Sequence, residues 1–339
     1  MVQPSRPDME VVGVFNAAAT RFGGETVLLL RVSETPRRVD PNAILAAVYN
    51  PDTSRIELKQ WSRDTPGLDA SDPRAIELGG KTWLTSMSHL RLARSRDGIH
   101  FEVEGKPALA PGDRYETFGV EDPRITRIDD TYWINYTAVS DLGIATALVS
   151  TTDFRTFKRH GVIFPPQNRD VTIFPEKIGG RYVALHRPMA QNPGESAIWI
   201  AWSPDLISWG NHAFVAGARP GSWDDSKIGG GAVPFRLKWK NRDAWLEVYH
   251  GVTNSPPTYS LGALLLDFND PGKVLARSAE PILKPEAKYE REGFYGNVVF
   301  SCGLVAGGDV VRIYYGAADA VMAVADLSLA EILAGLVEA

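Results

Sequence analysis

A short turn motif recurs through the middle of the chain, and its spacing limits the folds open to it. A strand-like run ends in Ser or Thr, an Asp follows two residues later, and an aromatic residue closes the turn. The motif reads Ser95-Arg96-Asp97-Gly98-Ile99-His100-Phe101, then Thr151-Thr152-Asp153-Phe154-Arg155-Thr156-Phe157, then Ser203-Pro204-Asp205-Leu206-Ile207-Ser208-Trp209. The copies lie roughly 50–56 residues apart, which suits one propeller blade of about four strands. Asp in such a turn accepts from its own backbone two residues on. Looser echoes stand at Asp267 and at Asp326.

A hairpin precedes each turn. Short runs rich in Val, Ile, Trp, Tyr and Thr begin at Thr131, Arg181, Ala244 and Val310, bounded by Gly, Asp, Asn or Pro. With the pairs starting at Thr26 and Lys81 there are six candidate strand pairs, and the pattern alone leaves the number of blades open. Residues 33–80 read as an inserted hairpin with loops. Helical spacing is confined to residues 327–338, where Leu329, Ile332, Leu333 and Leu336 predict a terminal helix. No linker divides the chain, so residues 1–339 read as one all-β domain.

Composition excludes several functions. The net charge is −5 and no basic tract stands out, so nothing points to nucleic acid. No apolar run is long enough to span a membrane, and the first ten residues lack a signal-peptide core. The expected location is the cytoplasm. The lone cysteine, Cys302, gives no disulfide framework and no paired metal motif, and its apolar neighbours predict burial. The 9 Trp either pack the core or offer stacking faces for sugar rings.

In a propeller the inner strands end at one mouth, so polar residues at the ends of apolar runs are the candidates for chemistry. Glu121-Asp122-Pro123-Arg124 sets two carboxylates and an Arg around a Pro; it is either a turn with Glu121 paired to Arg124 or an acid site. Arg169, Arg187, Lys227 and His250 stand at the ends of separate runs. Each alone reads as a surface charge. Together they would form an anion site, with planar guanidinium forks and a compact ammonium suited to phosphate oxygens. There is no nucleotide-binding glycine loop: Gly229-Gly230-Gly231 lacks a following Lys-Ser or Lys-Thr. The histidines have no metal-ligand spacing. Tyr314-Tyr315-Gly316-Ala317-Ala318-Asp319 runs a strand into a carboxylate of the kind sugar hydroxyls need.

These motifs jointly resemble glycoside hydrolase family 130, the β-mannoside phosphorylases and mannosidases. The match rests on Phe15-Asn16, Ala93-Arg94-Ser95, Val120-Glu121-Asp122-Pro123-Arg124-Ile125, Phe174-Pro175-Glu176-Lys177, His186-Arg187-Pro188, Tyr249-His250-Gly251, Asn297-Val298-Val299-Phe300 and Tyr315-Gly316-Ala317-Ala318-Asp319. The resemblance implies a five-bladed β-propeller with a short C-terminal helix. It implies that Asp122 is the general acid, acting through the mannose 3-hydroxyl, and that Arg169, Arg187, Lys227 and His250 bind phosphate. Asn16, Arg31, Arg94, Glu121 and Asp319 would hold the mannosyl unit. The expected reaction is inverting phosphorolysis of a β-mannoside to α-mannose 1-phosphate. Inorganic phosphate is then a co-substrate, with no metal or other cofactor, and a homo-oligomer is compatible with this reading. The segment before Arg94 resembles the branch acting on β-1,2-mannobiose and β-1,2-mannooligosaccharides; β-1,4-mannosides, mannosylglucose, hydrolysis by water and non-catalytic sugar binding are the alternatives. One departure is Ala17, where the family usually has Pro or Ser.

Overall fold

A computed structural model of the protein describes residues 2–189 and 194–339. The architecture is almost entirely antiparallel β. Strands β1 (Met9–Phe22) and β2 (Glu25–Pro36) form the first hairpin. Its two-residue turn, Gly23-Gly24, has φ of 60° and 84°, the double positive φ that matches the twist of paired strands. The expected insertion follows as two small hairpins, β3 (Ala43–Asn50) with β4 (Arg55–Ser62) and β5 (Ala75–Leu78) with β6 (Lys81–Leu84). The chain then returns to β2 as β7 (Met87–Ser95), edged by β8 (Glu102–Val103).

A second group runs β9 (Gly119–Ile128), β10 (Thr131–Ser140), β11 (Gly143–Thr151) and β12 (Lys158–Phe164). It joins the first group by a single parallel pair, Ser88 with Gly119. A four-stranded sheet follows: β13 (Asn168–Ile173), β14 (Tyr182–Pro188), β15 (Ile198–Ser203) and β16 (Gly210–Ala216). Next come β17 (Lys227–Gly230) and β18 (Phe235–Trp239), both paired to β19 (Arg242–Val252), then β20 (Tyr259–Asp267) and β21 (Val274–Ser278). After a one-turn helix, α1 (Lys288–Arg291), a three-stranded sheet is built from β22 (Val299–Gly307), β23 (Val310–Ala317) and β24 (Val321–Ser328).

The repeated turns share one set of hydrogen bonds. Asp97, Asp153 and Asp205 each accept from the amides two and three residues on, at 2.7–2.9 Å. The preceding Ser95, Thr151 and Ser203 hydroxyls each accept from the amide three residues on, at 2.9 Å. Asp267 repeats the carboxylate half of this pattern. Asp326 does not: it lies inside β24, where its carboxylate is held by Arg312 at 2.7 Å. The terminal helix is also shorter than the periodicity predicts. Ser328 caps α2 (Leu329–Ala334) by accepting from the Glu331 amide, Gly335 ends it, and β25 (Leu336–Glu338) pairs with β21. Strand pairing there overrides helical spacing, and Ile332 still packs with Leu246, Ala263 and Ile313.

The main core clusters lie between sheet faces, for example Leu29, Leu90, Ile134 and Val149, all fully buried. Each such side chain contributes roughly 1.5–3 kcal/mol on burial. Among the described residues no helix is long and apolar enough to cross a membrane.

Candidate active site

Three strands begin their sheet groups with the same irregularity. In β1, Asn16 and Ala17 stand opposite the single residue Leu30; in β9, Asp122 and Pro123 stand opposite Tyr136; in β13, Asp170 and Val171 stand opposite His186. Each is a β-bulge, which bends the strand and re-aims a side chain. The first bulge residue has φ of 51° at Asn16, 46° at Asp122 and 54° at Asp170, a region Asn and Asp tolerate better than other residues with a Cβ. All three side chains line one cavity of about 270 Å³.

That cavity gathers Asn16, Arg31, Glu121, Asp122, Arg169, Arg187, Lys227, His250 and Asp319, every residue the sequence proposed except Arg94. Arg94 lies toward the far end of β7 from Ser88, about 20 Å along the strand at the usual rise per residue, and borders a separate groove with Phe22 and Glu104. Its partner is Glu104, at 3.4 Å. The alanine at position 17 does not reach the cavity, because its fully buried side chain packs with Leu28 and Leu30. No Trp lines the cavity; its aromatic walls are Tyr259, Tyr295 and Phe300.

Asp122 sits at the centre of a buried network. Its Oδ1 accepts from Asn16 Nδ2 and from Arg31 Nη1, both at 3.0 Å, while Arg31 Nη2 donates to Glu121 Oε1 at 2.7 Å. Ser88 steadies the same guanidinium through Nε. The pairing of Glu121 with Arg124 that a simple turn would give is not made. Arg124 is buried and donates instead to the carbonyls of Asp122, Gly230 and Gly231, each at 3.0 Å. It therefore ties the Asp122 bulge to β17.

Burial works against the charge on Asp122, but Arg31, Arg124 and the Asn16 amide outweigh it and hold the carboxyl below its ordinary range. Glu121 moves the other way: its burial, with Asp122 alongside, outweighs Arg31 and raises it. Asp319, also buried and facing both carboxylates, is pushed up to about 6.

The cationic side of the cavity has its own logic. Arg169 and Arg187 are direct cross-strand neighbours on β13 and β14, an arrangement of like charges that is unfavourable without an anion between or beside them. Asp170 supplies part of that charge, accepting from Arg187 Nε at 2.7 Å and from Arg124 at 3.4 Å. Burial would raise the Asp170 carboxyl, yet Arg187, His250 and the other arginines hold it far below the usual range. Lys227 is lowered by burial and by the two arginines. His250 is lowered to about 3, first by burial and then by Arg187 and Lys227. At neutral pH His250 is thus a neutral imidazole beside Arg169, Arg187 and Lys227. Arg169 Nε, His250 Nδ1 and Asn16 Oδ1 are buried without a partner among the described residues. Unmet polar atoms cost stability unless a ligand or water satisfies them.

Gly229, on β17 opposite His250, is part of the same design. A Cβ there would lie 2.5 Å from His250 Cε1, 2.6 Å from Asp170 Oδ2 and 2.8 Å from Arg187 Nε. Only a glycine lets these three side chains close around one point.

Asp170, Arg74, Tyr259 and Tyr295 line the cavity too, and none of them was given a role of its own from the sequence. Asp170 carried a readable signal: like Asn16 and Asp122, it is a β-disfavoured residue inside a strand. Arg74 belongs to Asp72-Pro73-Arg74 in the insertion, which reads as an ordinary surface turn.

The chain is similar to known proteins of one family. A family model of glycoside hydrolase 130, described as β-1,4-mannooligosaccharide phosphorylase, matches residues 81–338. A β-1,2-mannobiose phosphorylase of Listeria innocua is 48% identical over 336 residues, covering 98% of this chain and 93% of that protein. A 1,2-β-oligomannan phosphorylase of Thermoanaerobacter sp. is 40% identical over 249 residues, 73% of this chain and 80% of that protein. The solved structure of the Listeria innocua enzyme with β-1,2-mannobiose superposes with a TM-score of 0.93, covering 98% of this chain and 94% of that one.

Proposed function

Because the chain belongs to glycoside hydrolase family 130, we propose that it is an inverting phosphorylase that cleaves β-1,2-mannobiose or β-1,2-mannooligosaccharides with inorganic phosphate, releasing α-mannose 1-phosphate. The observation that carries this reading is the single cavity in which Arg169, Arg187, Lys227 and neutral His250 face the Asp122 network. An inverting hydrolase needs a second carboxylate to activate water. A phosphorylase replaces that base with an anionic nucleophile, and a half-buried cation cluster is what such a nucleophile requires. Support for the β-1,2 linkage comes from the names of the relatives at 48% and 40% identity.

In this mechanism phosphate lies against the Arg169–Arg187 pair and attacks the anomeric carbon. Asn16, Arg31, Glu121 and Asp319 hold the mannosyl ring. Asp122 protonates the mannose 3-hydroxyl, which passes its own proton to the leaving oxygen. Arg31, Arg124 and Asn16 hold the Asp122 carboxyl below its ordinary range. The arriving phosphate adds negative charge beside it, and a nearby like charge raises a carboxylate; the nucleophile thereby loads the acid. The reaction uses no metal or further cofactor.

The same reading takes the fold as one five-bladed propeller. Blades one to five are β1-β2-β7-β8, β9–β12, β13–β16, β17–β21 and β22–β24, with β3–β6 as the insertion. Its support is the matching bulge at the inner edge of the first three groups. The single cysteine and a charged sugar product suit a cytoplasmic enzyme.

The test is the product of β-1,2-mannobiose digestion with and without phosphate. Mannose 1-phosphate and mannose in equal amounts, formed only with phosphate, is the expected result. Two free mannoses at a phosphate-independent rate would overturn it.

A further inference from the structure

We propose that Arg74, from the insertion between β2 and β7, recognises the leaving sugar and sets acceptor specificity. This rests on the phosphorylase reading.

Arg74 is held in place by several neighbours. Asp72 grips the guanidinium through two bonds, Nε to Oδ1 at 3.0 Å and Nη2 to Oδ2 at 2.8 Å, and also accepts from the Arg74 amide at 2.8 Å. The Arg74 carbonyl accepts from the Thr85 amide, and the Thr85 hydroxyl donates to the Pro73 carbonyl at 2.6 Å. The Arg74 turn is thus pinned to the segment between β6 and β7. The guanidinium lies over the Tyr295 ring, 5.3 Å from its centroid. Nη1 makes no hydrogen bond among the described residues. A surface ion pair needs none of this bracing; a side chain that must meet a ligand at a fixed point does.

Position supplies the ligand. Arg74 borders both the catalytic cavity and an adjoining trough of about 390 Å³ that runs toward Ser86 and Phe294. Arg31, Glu121, Asp319 and Arg169 are shared between the two spaces, so Arg169 stands at their border, whereas Arg187, Lys227 and His250 face the cavity alone. Inversion requires the nucleophile and the leaving group on opposite faces of the ring. With phosphate against the cations, the departing mannose lies toward the trough, where Arg74 can donate to its hydroxyls and Phe294 offers an apolar face.

The experiment runs the reaction in reverse, from mannose 1-phosphate and mannose, and follows phosphate release for wild type, Arg74→Ala and Arg74→Lys. Loss of a charged donor predicts that KM for mannose rises about 10–100-fold in Arg74→Ala, with KM for mannose 1-phosphate within about twofold of wild type. Arg74→Lys, which keeps the charge without the fork, falls between the two. An unchanged mannose KM in Arg74→Ala, or an equal rise in both KM values, overturns the assignment of Arg74 alone. A wild-type protein that releases no phosphate at all overturns the phosphorylase reading itself.

Discussion

Replacing Gly229 with Ala adds one methyl group to the anion pocket and leaves every charge in place. Its Cβ would start 2.5 Å from His250 Cε1, 2.6 Å from Asp170 Oδ2 and 2.8 Å from Arg187 Nε. Ordinary contact between carbon atoms needs about 3.5 Å, so the groups must separate by roughly 1 Å. They cannot all yield outward. His250 is fully buried against Phe300, with ring centroids 4.7 Å apart, and Arg187 is fixed to Asp170 at 2.7 Å. A misplacement near 1 Å at a reacting centre costs about 10²-fold, and overpacking costs about 1–3 kcal/mol of stability. Gly229→Ala should therefore raise KM for phosphate by about 10–100-fold and lower Tm by a few degrees, while KM for β-1,2-mannobiose changes little. Initial rates against phosphate at saturating disaccharide, with a thermal melt of the same preparation, measure both. A folded variant whose phosphate KM stays within about threefold of wild type would refute the argument that these side chains converge on the nucleophile.

Two further outcomes follow from the carboxylates. Asp122→Asn should lower kcat by about 10²–10⁴-fold, with the Kd for phosphate little changed or tighter because a negative charge has gone; rates and phosphate calorimetry check this, and a loss below about tenfold would remove Asp122 from the acid role. Asp319 has its carboxyl raised to about 6 by burial, so it is charged above that pH and neutral below it. If the charged form accepts from mannose hydroxyls, mannobiose affinity falls as pH drops through about 6; calorimetry without phosphate, which avoids phosphate's own titration, should show this step in wild type and lose it in Asp319→Asn.

The parts of this site that were legible in the sequence are those carried by local chemistry. The Ser/Thr-x-Asp turns were readable because their hydrogen bonds run within a few residues, from Ser95 to Gly98 or from Asp97 to His100. The echo at Asp326 failed because a cross-strand partner, Arg312, takes the carboxylate first. Arg94 failed for a related reason: a motif shows which residues are near in sequence but not which end of a strand faces the cavity. The terminal helix was cut short by β25, whose partner β21 lies about 60 residues earlier in the chain.

What no local pattern shows is how charge is balanced across strands. Arg169 and Arg187 look like two surface cations until the register sets them opposite each other. Asp170 shows in the sequence only as an Asp inside a strand until its bulge turns it between Arg187, Arg124 and His250. Left-handed backbone at a residue with a Cβ costs about 1–3 kcal/mol, and Asn16, Asp122 and Asp170 each carry it. The same strained device in the first strands of three sheet groups puts an amide and two carboxylates around one cavity. Function here is therefore written less in any motif than in where these three strands break register, and each of the three breaks is marked by the Asn or Asp that tolerates it.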